Sequence, residues 1–128
     1  MSAMRDYLEL KFLDHFTGRA STSAPSAVYL GLSTASMNDD NSGTELTGNN
    51  YSRKAVTFAA AASGSISSNA AVEFDAASGS WGTVSHWAIY DASSSGNQLF
   101  HGAFTVAKAI GSGDILKVAS GSVTITAA

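Results

Sequence analysis

The chain reads as an all-β domain, an antiparallel β-sandwich or barrel-like body preceded by an N-terminal α-helix. Three observations predict this class. Short segments rich in Val, Ile, Tyr, Phe and Trp recur after residue 27, with Gly, Ser and Asn turns between them. Only one stretch, near the N-terminus, is long enough and free enough of Gly and Pro to form a helix. Ala, Ser, Thr and Gly make up about half of the 128 residues, a composition that suits close strand packing and tight turns. The length fits a single domain covering 1–128, divided into a helical segment at 1–18 and a β-sandwich at 27–128.

The helix is expected over residues 3–17, with Gly18 as its stop. At about 100° per residue, Met4, Leu8, Phe12 and Phe16 form one stripe, widened by Leu13. Tyr7 and Leu10 fall off that stripe. Apolar residues on a second side predict that the helix touches its own domain with the stripe and a neighbour with Tyr7 and Leu10.

A Ser/Thr linker containing Pro25, the only proline, leads to a strand at 27–33, where Val28, Leu30 and Leu32 alternate onto one face. Residues 36–50 are polar and turn-rich and form the longest loop. Strands follow at 53–60 and 70–74. Next comes the most informative run, 81–104, in which two aromatic segments at 82–91 and 98–107 flank the sequence Ala-Ser-Ser-Ser-Gly-Asn. That is the pattern of a hairpin. Strands at 114–119 and 122–126, separated by Ser120-Gly121, close the set.

Charge and composition exclude several functions. Charged residues are 13% of the chain, the net charge is −3, and Arg53-Lys54 is the only adjacent basic pair. Nothing here neutralises a run of phosphates or attracts an anionic membrane, so neither nucleic acid nor membrane is an expected partner. With no cysteine, disulfides, thiolate catalysis and Cys-based zinc sites are ruled out. No long apolar run marks a signal peptide or a membrane span.

The candidate chemistry is thin. His86 and His101 lie on the two arms of the hairpin, with Asp75 and Asp91 as the nearest carboxylates for a third metal ligand. Packing histidines with one satisfied hydrogen bond are the favoured reading. The stretch 39–45 alternates oxygen-bearing side chains around Gly43, yet it lacks the bidentate Glu and the flanking helices of a calcium loop. No Gly-x-Ser-x-Gly elbow is present, and Asp14 and His15 are adjacent on the helix and diverge. Nothing brings two of Glu45, Glu73, Asp75 and Asp91 together as a glycosidase pair. Trp81, Trp87, Tyr90, Phe100 and Phe104 suggest a sugar-stacking face, but core filling is the better account. No catalytic residue, no metal site and no cofactor is expected, and the chain is not read as an enzyme.

The order of segments is distinctive. A Leu/Phe-rich helix and a proline precede "VYLGLST", followed by "GTELTGNNYSRKAVTF", "WGTVSHWAIYDA", "GNQLFHGAF" and "GDILKVASGSVTIT". This order resembles a family of small virion structural proteins of tailed bacteriophages, known as phage tail fibre proteins. The resemblance covers nearly the whole chain and is most specific at 48–58, 81–92 and 99–104. It implies a non-enzymatic structural role, with other virion proteins (major capsid or tail proteins) as partners. It also implies a virion location after synthesis in the host bacterial cytoplasm. The chain has no heptad, β-helical repeat or collagen-like run of an extended shaft. A capsid decoration (cement) or tail-surface subunit is therefore expected, assembled as a homo-oligomer, a trimer. The alternative is a tail-tip module that binds a receptor or a glycan. Tyr7 and Leu10 are the expected partner contacts.

Overall fold

The structure, a computed structural model, describes residues 2–37 and 44–126. Most of the oxygen-rich stretch at 39–45 lies outside the described residues. The chain begins as a short strand, β1 (Ser2–Met4), and then turns into α1 (Asp6–Phe16). The predicted helix thus loses its first turn. Ser2, Ala3 and Met4 pair with Gly102, His101 and Phe100 and so complete a sheet edge. Gly18 ends the helix as expected: its φ is +76°, and the Arg19 amide donates to the Asp14 carbonyl at 2.9 Å.

Eight further strands follow: β2 (Val28–Ser33), β3 (Lys54–Val56), β4 (Ser65–Ser67), β5 (Val72–Glu73), β6 (Gly82–Tyr90), β7 (Gln98–Ile110), β8 (Lys117–Val118) and β9 (Thr124–Thr126). One five-stranded antiparallel sheet has the order β1-β7-β6-β2-β3. Two small ladders, β4-β9 and β5-β8, lie across its inner face. Leu30, Leu32, Val56, Val84, Trp87, Ile89 and Ile110 of the sheet bury against Val72, Phe74, Leu116, Val118, Val123 and Ile125. That all-β layering agrees with the sequence reading, and β6-β7 is its central hairpin.

The differences have local causes. The strand expected at 53–60 stops at Val56, leaving Phe58 as an isolated bridge to Ser68. The strand at 65–67 escaped notice because Ser-Ile-Ser carries almost no hydrophobic signal. Residues 114–119 form only a two-residue strand, since Asp114 is occupied closing a turn, its carboxylate accepting from the Gly111 amide at 2.8 Å. Ser120-Gly121 does form a turn, but it joins strands of different ladders rather than a hairpin.

β7 runs past its expected end and carries a large irregularity. Val84 pairs with Lys108 while His86 pairs with Ala103, so Ser85 alone faces residues 104–107. The excess chain bulges outward and leaves Val106 66% exposed. β1 covers the outer edge of β7 only from Phe100 to Gly102.

Candidate functional site

Pairing partners in a sheet share a face. Trp87 and Ile89 lie opposite Gly102 and Phe100 and point into the main core. His86, Ala88 and Tyr90 occupy the other face, together with Ser33, Gly31 and Tyr29 across the ladder. Trp87 thus faces away from His86 and Tyr90, as alternation along a strand requires. Trp81, Trp87 and Tyr90 are buried, while Phe100 and Phe104 are partly buried against the core. None of the five rings forms an open stacking face.

The two histidines are offset rather than opposed. His86 pairs with Ala103, and His101 with Ala88. His86 Nδ1 lies 2.7 Å from the Ser85 hydroxyl. Both carboxylates considered as third ligands are engaged elsewhere. Asp91 accepts from the Asn97 amide at 2.7 Å inside the hairpin loop, and Asp75 pairs with Lys54 Nζ at 2.8 Å. Among the described residues, no group of three His, Asp or Glu side chains could hold a metal ion.

A cluster that sequence reasoning missed ties the long loop to the hairpin. Arg53 forms a two-pronged pair with Glu45, Nε to Oε2 at 2.9 Å and Nη2 to Oε1 at 2.8 Å. Its remaining prong, Nη1, donates to the carbonyls of Ala92 and Ser95 at 2.9 and 2.8 Å. The guanidinium lies 3.5 Å from the centre of the Tyr90 ring. Tyr51 donates to Glu45 Oε2 at 2.5 Å and accepts from the Leu32 amide at 2.9 Å. The bond from Leu32 occupies the edge of β2 that β3 no longer covers. Gly31 makes room for the cluster, because a Cβ there would stand 2.6 Å from Tyr90 Cε1 and 2.8 Å from Glu45 Oε2.

Electrostatics marks this cluster as a tie rather than a reactive centre. Burial, reinforced by the hydrogen bond to Glu45, pushes the Tyr51 phenol far above its ordinary value. Burial and the Glu45 charge raise Tyr90 as well. At Arg53 burial opposes the charge, but the Glu45 hydrogen bond and charge outweigh it and raise the pKa. Both phenols stay neutral and the cation stays charged at neutral pH, so neither phenol nor the guanidinium is poised to give or take a proton. Spacing alone does not reveal that Glu45 and Arg53 meet over Tyr90. The sequence signal is Glu45 and the Arg53-Lys54 pair in a stretch otherwise free of charge.

A second tie uses the same two segments. Trp81 Nε1 donates to the Asn49 carbonyl at 2.9 Å, and Asn49 Nδ2 donates to the Ser80 carbonyl at 3.0 Å. Asn49 and Asn50 sit at positive φ, which asparagine tolerates better than most residues. The segments 48–58 and 81–92 therefore hold each other in place.

Most of the exposed large apolar side chains among the described residues lie on α1, with Val106 and Ile115 elsewhere. No helix residue is buried; Tyr7, Leu10, Phe12, Leu13 and Phe16 are 40%, 65%, 49%, 58% and 72% exposed. Tyr7 and Leu10, the expected partner contacts, thus stand in solvent. The other expectation holds only at Leu8, which is half-buried: Phe12, Leu13 and Phe16 do not bury against the chain's own domain, and Met4 belongs to β1. α1 touches its own body through β7. A groove of about 620 Å³ opens beside the bulge of β7, lined by residues of β6 to β9 and their connections.

Comparison with known proteins gives one family. Its model, described as Podophage GP4 fiber I protein gp80, matches residues 3–126. No curated protein matches.

Proposed function

The chain belongs to the Podophage GP4 fiber I protein gp80 family and is a structural protein of a phage virion; from that premise we propose that it is a non-enzymatic tail-fibre subunit. It binds other virion components, and identical chains associate into an oligomer, a trimer, through α1. The observation that carries this reading is the helix itself. It has apolar residues around most of its circumference, yet none is buried. A helix of that kind is normally covered. Eleven residues without tertiary burial also make a marginal helix in water, so a covering partner supplies the missing stability.

Replacing Tyr7 and Leu10 together with Ser leaves the β body folded, because neither residue is part of its core. The same double variant is expected to lower the amount of protein carried by purified particles. Full occupancy in those particles removes Tyr7 and Leu10 from the contact.

The family description supports a fibre location. A compact body without an extended repeat also suits a capsid decoration (cement) subunit, and copy number separates the two. Hundreds of copies per particle on a quantitative gel favour decoration, and a few tens or fewer favour the tail. Labelled antibody on intact particles locates the protein directly. The burial of Trp81, Trp87 and Tyr90 argues against the hairpin as a glycan-stacking platform.

A further inference from the structure

We propose that the groove beside the β7 bulge is the seat of α1 from a second copy of this chain, so that the subunits join head to tail. The inference rests on the oligomeric tail-fibre reading and names the surface that oligomer uses.

The groove has the chemistry that α1 lacks a partner for. Phe104 and Val106 offer it apolar surface above the buried Trp87 and Leu116, among the polar Thr105, Ser122 and Thr124, with Lys108 and Lys117 at the same site. No Asp or Glu lines it; Glu73 sits opposite Lys117 in the β5-β8 ladder but outside the lining. The first turn of α1 is acidic, with Asp6 and Glu9 both exposed, and apolar residues surround them. The negative first turn therefore meets two lysines, and the apolar side chains beside it meet Phe104 and Val106. Complementary charge of this kind fixes register and partner choice.

Size agrees as well. Eleven helical residues span roughly 16 Å. A cavity of about 620 Å³ lies in the range that holds several large side chains. The exposed Val106 on the bulge supplies a wall for the helix to pack against.

The helix does not fill this groove in its own chain. α1 follows directly from β1, whose next residue, Arg5, donates its amide to Leu99 at 2.9 Å, and no α1 residue lines the groove. Helix and groove are different patches of one molecule, so the contact is heterologous. Where the rotation between neighbours closes, such a contact generates a ring in which every helix and every groove is covered.

The test uses the purified full chain and sedimentation equilibrium. Asp6→Lys with Glu9→Lys reverses the helix, and Lys108→Glu with Lys117→Glu reverses the groove. Each pair is expected to weaken self-association roughly 10- to 100-fold, and the combined four-site variant to restore it. Leu10→Ser and Val106→Ser, at exposed positions, provide a second set with little demand on folding. Near-ultraviolet circular dichroism of the buried tryptophans checks that each variant is folded. An oligomer that survives both reversals, or a four-site variant that stays dissociated, overturns the pairing. A wild-type chain that remains monomeric at high micromolar concentration also overturns it, while leaving the fibre reading to the antibody labelling of particles. Failure of that labelling removes the fibre location and leaves the measured pairing intact.

Discussion

At the scale of single residues, Arg53 does the most. Its three guanidinium prongs reach Glu45, Ala92 and Ser95, and its plane covers Tyr90. With side-chain exposures of 9% and 20%, the Arg53–Glu45 pair is largely shielded from water. Removing one partner of such a pair leaves a desolvated charge behind, which typically costs about 3 kcal/mol. Arg53→Ala is expected to destabilise the chain by that amount in urea denaturation. Arg53→Lys should recover little, because an ammonium cannot serve three directions in one plane. Tyr51 predicts a pH dependence. Its folded value lies far above the ordinary 10.0, so below pH 10 both folded and unfolded chains hold the neutral phenol and its contribution is complete. As pH rises past 10, the unfolded chain loses the proton while the folded chain keeps it, and stability falls. The melting temperature should drop steeply above that pH, and Tyr51→Phe should flatten the drop while lowering stability at neutral pH. A slope unchanged in Tyr51→Phe would assign the effect elsewhere, first to Tyr90, which burial also raises.

At the scale of elements, local pattern was enough where hydrophobic alternation was strong. Val28, Leu30 and Leu32 identified β2, and the aromatic runs on either side of residues 92–97 identified β6 and β7. The pattern failed where side chains were small or where pairing alone defines the strand, as in β4 and β1. β1 reads as the start of a helix because Ala and Met are good helix formers, and only the free edge of β7 pulls it extended. The exposure of Tyr7 and Leu10 is legible from helical geometry. The clamp of Glu45, Tyr51 and Arg53 was not, since it depends on a loop crossing the sheet. α1 carries its own prediction. With none of its residues buried, it opens without disturbing the core. In chains dissociated by the Lys108 and Lys117 reversals, α1 amides should exchange with deuterium at least about 100-fold faster than those of β6. Equal protection in the two elements would mean that α1 is part of the cooperative body.

At the scale of the whole molecule, the ties that hold the fold and the surfaces proposed for assembly are separate. The two ties, Arg53 over Tyr90 and Asn49 against Trp81, lock the segments that make the family recognisable. They lie within the body, whereas α1 and the groove lie on its outside. The distinctive sequence therefore specifies the fold, and the parts proposed to meet other chains are a plain helix and a bulged strand. That bulge has a consequence for solubility. A long, straight β7 edge uncovered beyond Gly102 would offer its free amides and carbonyls to any similar edge, a template for fibrillar stacking. Crowding residues 104–107 against the single Ser85 breaks the straight line of backbone donors and acceptors. A bulged edge of this kind is a poor template for strand-upon-strand stacking.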